Sequence, residues 1–220
     1  MLFNPSLTGT SGSDVQIGFV HRNQWGAIRR QPYTTTAALA ELRQNKIGLG
    51  FQVFNQKAGE ASLKTTGVMF TGAFHKPLTE MSELSIGIAL GRLQRSFNPA
   101  LFTFENQYVP GEGFDASQAT GETFARTKAG LTDVAVGLNW KGRLSSSGNV
   151  IGNGGLSLAH IHLPDQGLNE LGNELPMRTT VTLAVDFQVQ DRIDITPNLF
   201  YQRQGLHQAL VCWVLVLEAT

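Results

Sequence analysis

The chain has 220 residues, long enough for one domain with a core of its own. Its 17 basic and 17 acidic residues cancel, which excludes both the basic field of a nucleic-acid binder and the acidic block of a solvating tail. Charged residues reach only 15%, against roughly a quarter in an average soluble domain. Glycine, at 24 residues, takes their place together with Thr, Ser, Asn and Gln.

Cys212 is the single cysteine, so no intrachain disulfide is possible and the redox compartment stays undecided. No run approaches the roughly 18–20 apolar residues of a membrane helix. The opening "MLFNPSLTGT" lacks the basic and apolar regions of a signal peptide. Read literally it is a cytoplasmic start, and a gene start cut short would look the same.

In chain order, the first stretch is "VQIGFVHRNQWGAI" (15–28), which alternates and then breaks into His21-Arg22-Asn23-Gln24-Trp25. Such a polar cluster at a strand end suits either a soluble active site or the rim of a membrane barrel. Weaker alternation follows over 33–42. "AALAELRQNK" (37–46) is the best helix candidate, but Tyr33 and a threonine run lead into it. In "KIGLGFQVFN" Ile47, Leu49, Phe51 and Val53 share one face, opposite Gly48, Gly50 and Gln52. Weak alternation covers 63–75. "LSIGIALGRL" then sets Leu84, Ile86, Ile88 and Leu90 against Ser85, Gly87, Ala89 and Gly91.

The stretch from about Ser96 to Lys128 is irregular and too long for an idle loop, so it is expected to be functional or folded back onto the body. After it, "TDVAVGLNW" places Val134, Val136, Leu138 and Trp140 opposite Asp133, Ala135, Gly137 and Asn139. Further strands are expected over 154–163, 180–189 and 193–204. In the second of these, Val181, Leu183, Val185, Phe187 and Val189 oppose Thr182, Ala184, Asp186 and Gln188. About nine segments result, most near the 9–11 residues that a tilted membrane strand needs. "RQNK" (43–46) and "LTEMSE" (78–83) read as short hairpin connections and "LPDQGLNELGNELP" (163–176) as a longer one.

The predicted fold class is therefore all-β. A soluble sandwich or calyx binding a small apolar ligand alternates in the same way, but its second face usually carries Lys, Glu and Arg. Here that face is Gly, Ala, Ser, Thr, Asn and Gln, which favours an antiparallel transmembrane β-barrel with a crowded lumen. In the strands of "SIGIALG" and "DVAVGLN" this predicts Ile86, Ile88, Val134 and Val136 toward lipid. Gly87, Ala89, Ala135 and Gly137 then face the lumen. Trp25 and Trp140 end alternating runs, Trp140 beside "KGR", as rings at headgroup level do.

Candidate chemistry is sparse. His160 and His162 in "AHIH" are expected on one strand face, as two metal ligands would be, with Asp165 or Glu170 as a third. No second cluster supports a metal, and two polar residues near a strand end is the plainer reading. His21, His75 and His207 are scattered without a paired acid. "GNVIGNGG" (148–155) lacks the Lys-Ser/Thr of a phosphate loop and reads as a turn entering a glycine-rich strand. No Gly-x-Ser-x-Gly elbow exists, and Cys212 sits in an apolar run as an inert thiol would. No catalytic, cofactor-binding or metal residue is assigned, and no cofactor is expected.

Several blocks in order resemble one family: "FNPSLTGTSGS", "HRNQW", "PYTTTAAL", "NKIGLGFQVFNQKAGEAS", "GAFHKPLTEMSELSIGIALG" and the "FDAS…VAVGLNW" segment. Together these are similar to the PorP/SprF family of type IX secretion system outer-membrane proteins of Bacteroidota, over about Phe3 to Gln208. The resemblance implies a barrel without enzymatic activity in the outer-membrane lipid. It implies a part in secretion and gliding, or in the export and anchoring of large surface adhesins. The partners it implies are other secretion components, including ring components and a peptidoglycan-binding lipoprotein, and the secreted adhesin, with no nucleic acid. Family members start with a signal peptide and continue for several more strands. On that comparison residues 1–208 are expected to form a partial barrel domain, and the apolar tail 209–220 reads as a frameshifted end.

Overall fold

The computed structural model describes residues 3–27, 33–59, 63–111, 113–124, 126–145, 150–167, 173–190 and 193–217, with side chains except at 189–190, 193–194 and 206–217. Ten long strands form one antiparallel sheet. In chain order they are β1 (Val15–Gln24), β2 (Tyr33–Gln44), β3 (Ile47–Ala58), β4 (Leu63–Thr79) and β5 (Ser82–Ser96). A two-strand ribbon, β6 (Tyr108–Val109) and β7 (Gly113–Phe114), interrupts the series. The main sheet resumes with β8 (Lys128–Arg143), β9 (Val150–Ala159), β10 (Arg178–Gln190), β11 (Ile193–Gln204) and β12 (Leu206–Leu217). Each long strand pairs with its neighbours in sequence, from β1 at one edge to β12 at the other, and no pairing of β1 with β12 is found among the described residues.

The expected strands are present and mostly longer than their alternating cores. The helix candidate at 37–46 is strand β2 and the turn after it, because Tyr33 and three threonines fix an extended start and Glu41 and Arg43 point to the interior face. The tail extends the sheet: Leu206–Leu217 pairs residue for residue with β11 although the period of two fails after Gln208. The largest displacement is β9, expected at 154–163 but running from Val150 to Ala159.

Two faces of opposite character follow from the period of two. On the outer face Ile86 and Ile88 are 57% and 56% exposed, and Phe70, Phe74, Val136, Leu138, Leu156 and Leu183 join them. On the inner face Ala89 and Ala135 are 3% and 5% exposed, and Gly87 and Gly137 are also buried. An outer face apolar through the middle of the strands, with small and neutral-polar residues inside, is the section of a membrane-barrel wall, not of a sheet that faces water. Every long strand has at least the 10 residues of β1 and β9, enough to cross at a tilt. Among the described residues no helix is long and apolar enough to cross a membrane.

The connections are unequal at the two ends. β2 turns into β3 through Asn45-Lys46 and β4 into β5 through Glu80-Met81. Asn45 takes a φ of 56°, which asparagine tolerates better than most residues. Both long connections, 97–127 after β5 and 160–177 after β9, leave the opposite end. Within the first, Phe97, Phe102, Phe104 and Phe124 pack on one another with ring centroids 5.3–6.5 Å apart. Trp25, at the end of β1, and Trp140, near the end of β8, lie toward opposite ends of the wall because those strands run in opposite senses.

Ile88→Arg is expected to cost about 2–4 kcal/mol of folding free energy in bilayers, as a cation near the apolar midplane does. Gln94→Arg, on the same outer face but near the strand end, should cost far less. Urea-dependent folding of the two variants into lipid vesicles checks this, and equal costs would remove lipid from the outer face.

Candidate functional site

The inner face is crossed by the chain's own N-terminus. Asn4-Pro5-Ser6-Leu7-Thr8 opens with a single 3-10 turn over Pro5–Leu7, which Asn4 caps by accepting from the Ser6 N–H at 3.0 Å and the Ser6 hydroxyl at 2.6 Å. Proline at the first position of the turn costs no hydrogen bond, because that N–H would lack an intrahelical partner. Asn4, Ser6 and Thr8 are almost fully buried, at 1%, 0% and 0% exposure. Polar residues are buried so completely only when their hydrogen bonds are made elsewhere.

Those bonds run across the sheet strand by strand. The Phe3 carbonyl accepts from Ser157 Oγ of β9 at 2.5 Å. Asn4 Nδ2 donates to the carbonyls of Leu138 on β8 and Leu156 on β9, at 3.1 and 3.5 Å. Thr8 Oγ1 meets Thr71 Oγ1 of β4 at 2.9 Å, and the Thr8 carbonyl lies 2.9 Å from His75 Nε2. The Gly9 N–H donates to Glu41 of β2 at 3.1 Å, and Arg43 donates to the Gly9 carbonyl at 3.3 Å. Beyond the strap's other end the Phe3 ring packs edge-on against Phe200 of β11, with centroids 5.2 Å apart.

This strap is shorter than the wall it crosses. The five peptide steps from Asn4 to Gly9 reach at most about 18 Å, whereas five strand spacings from β2 to β9 take about 24 Å along the sheet. Curvature toward the strap, with side chains reaching from its two ends, closes the difference.

Register supplies the floor. Gly48, Ala73, Gly87, Gly137, Ser157 and Thr180 are successive partners across β3, β4, β5, β8, β9 and β10, so they form one row of small residues perpendicular to the strands. A Cβ on Gly48 would strike the Thr8 carbonyl, one on Gly87 the Pro5–Ser6 peptide, and one on Gly137 the Asn4 side chain. In the parallel row beside it, His75, Ser85, Asn139, Gly155 and Thr182 are likewise successive partners. His75, fully buried, bridges the Thr8 carbonyl to Ser85 Oγ, 2.8 Å from its Nδ1. Its Nδ1 is also 3.3 Å from Glu83, which Arg43 grips with two nitrogens at 2.6 and 3.2 Å. The strap thus leaves the lumen beside the Arg43–Glu83 ion pair, with Arg43 and Glu41 each bonded to the Gly9 backbone.

The expected site residues are dispersed. His160 and His162 do not share a strand face: β9 ends at Ala159, and His160 turns inward with a φ of 59° while His162 is exposed. His160 is buried with its Nδ1 2.8 Å from Asp133 of β8. Asp165 instead holds its own loop, accepting from the backbone N–H groups of Asn173 and Gly167, both at 2.8 Å. Those bonds, that of Asn173 first, keep its carboxyl below the ordinary aspartate value. Glu170 and the side chains of His207 and Cys212 lie outside the described residues. His21 sits exposed at the wall's edge, 3.0 Å from Thr36 Oγ1. No group of three or more metal-ligating side chains occurs among the described residues.

His75, Glu83 and Arg43, which sequence reasoning missed as a cluster, are the ionisable part of the seat. The only sequence signal for the seat is the recurrence of glycine and alanine on the faces opposite the branched residues.

Spanning strands with an apolar outside, a small-residue inside and paired backbone throughout the wall define the class: an antiparallel membrane β-barrel wall, with open edges in this chain. The family model described as type IX secretion system membrane protein PorP/SprF matches residues 1–211, and the chain belongs to that family. No curated protein matches the chain.

Ser6→Cys is expected to resist a water-soluble maleimide, because Ser6 is fully buried where the strap lies against the sheet. Adding Gly87→Val, whose side chain would occupy the space of the Pro5–Ser6 peptide, should release the strap and raise the labelling rate at least tenfold. Rapid labelling without the valine would show that the strap is not seated.

Proposed function

We propose that this protein is a non-enzymatic outer-membrane component of the type IX apparatus that supports the secretion or anchoring of large surface adhesins. The carrying observation is the two-faced wall, apolar toward lipid and sealed inside by its own N-terminus. The inequality of its ends adds orientation. Outer-membrane barrels carry short turns on the periplasmic side and longer loops outside. By that rule Asn45-Lys46 and Glu80-Met81 face the periplasm, and 97–127 and 160–177 face the exterior.

On this reading the short-turn end, where Arg43, Glu83 and the strap's exit lie, faces the peptidoglycan-binding lipoprotein and the ring components. The long-loop end, with its phenylalanine cluster, faces the exported adhesin. At the short-turn end the inner-face ions Arg43, Glu83 and Glu41 pair with one another or hold the strap, which supports a structural role. The edges β1 and β12 need strand partners in lipid, because an unpaired edge leaves backbone groups without hydrogen bonds. A soluble barrel around an apolar ligand would place its apolar face inward, whereas here Ile86, Ile88, Phe70 and Phe74 point outward.

The test is fractionation of cells producing the protein, with a heat-modifiability gel and protease shaving of intact cells. Recovery in the outer membrane, a mobility shift on boiling and cleavage within 97–127 are expected. Recovery as a soluble species without a mobility shift would overturn the reading.

A further inference from the structure

Between the strap and the long-loop end the inner face holds a cavity of about 400 Å³, a size that suits a small molecule. Its sheet side carries an apolar patch among polar neighbours: Met69, Leu93 and Leu131 lie close together, successive rows of the register bringing β4, β5 and β8 to one place. Its other wall is formed by His160, Gln166 and Leu175 of the connection after β9, whose described parts are tied down on two sides. Gln166 accepts from Arg95 of β5, and the Pro176 carbonyl accepts from Gln204 of β11 at 3.2 Å.

The charges in this cavity do not cancel. Asp133 and His160 satisfy each other at 2.8 Å. Arg95 is engaged by Gln166. Arg178, at the start of β10, lines the same cavity, and its buried Nε has no hydrogen-bond partner among the described residues. Gln52, 4% exposed, also lines it with an unpartnered Oε1. A buried guanidine N–H left without an acceptor is an unfavourable arrangement that an added acceptor would relieve.

We propose that this cavity binds a carboxylate carried on an apolar body, the carboxylate on Arg178 and the body over Met69, Leu93 and Leu131. The planar guanidinium fork matches a planar carboxylate. Two arginines against one aspartate leave room for a single negative charge, so a monoanion fits better than a phosphate dianion. The apolar floor rejects a small hydrophilic anion, which would leave it without contacts. A free aliphatic acid and the C-terminal carboxylate of an apolar peptide share this chemistry.

Calorimetric titration of the full chain in lipid nanodiscs, with empty nanodiscs subtracted, tests the site. The probes are octanoate, octanamide, and an oligoleucine peptide ending in either a free acid or an amide. Saturable one-to-one binding of octanoate or the peptide acid is expected, at least tenfold tighter than the matching amide. Octanoate alone identifies a free acid as the source, and the peptide acid alone identifies a chain terminus. Arg178→Gln should remove at least nine-tenths of the affinity while keeping the heat-modifiable mobility of the parent. Should Arg178→Gln fail to fold, Leu131→Phe, which fills the floor without touching a charge, should weaken the same probe. Acid and amide binding equally, or uptake that empty nanodiscs reproduce, would overturn the proposal. Binding is read in isolated protein, so its failure leaves the role in secretion untouched.

Discussion

A peptide laid across the inner face of a β-sheet meets a Cβ on each strand it crosses, unless those strands supply glycine or alanine at the crossing. Residues 3–9 make such a crossing, and the row from Gly48 through Ala73, Gly87 and Gly137 to Ser157 is where the sheet gives way. Small residues in the middle of strands weaken a sheet in isolation, because they cost backbone entropy and bury little surface. Here the strap returns that stability: its side chains and carbonyls bond to β2, β4, β8 and β9, and its fit holds the curl. Curvature, lumen filling and the position of the N-terminus are one arrangement.

The outer face follows from the same economy of side chains. Where the strap crosses, the lumen is occupied by backbone and the bulky residues of the strands point outward, as Ile86, Ile88 and Leu138 do. In water that surface would be an aggregation hazard, whereas in acyl chains it is solvated. The lumen is then divided in two. The strap and the Arg43–Glu83 ion pair lie toward the short-turn end, and the cavity lined by His160, Gln166 and Leu175 lies toward the other.

Much of the wall is legible in the sequence because a period of two needs no tertiary information. The sides of Ile88 and Ala89, or of Val136 and Gly137, can be read from "SIGIALG" and "DVAVGLN" directly. What resists reading is register. Gly48, Gly87 and Gly137 are far apart in the chain and become one row only when every hairpin has its final pairing. The strap itself is seven residues of turn-like sequence, with nothing local to say that it lies inside. "AHIH" misleads for a related reason: alternation runs on past Ala159, but the backbone leaves the sheet at His160 and carries its ring to Asp133. The tail shows the converse, where backbone pairing with β11 persists after the side-chain period is lost.

The membership in a secretion family and the two-faced wall point the same way, to a membrane β-wall built around its own N-terminal strap. That account depends on the strap lying inside the wall and not on its outer surface. The most direct measurement is disulfide formation between Thr8→Cys and Thr71→Cys, whose hydroxyls lie 2.9 Å apart, with Cys212→Ser to remove the native thiol. Thr8→Cys with Phe70→Cys, one residue away but facing outward, is the control. Near-complete cross-linking of the first pair in membranes, with none of the second, is the result expected. No cross-link at Thr71, or equal cross-linking at both positions, would contradict the account.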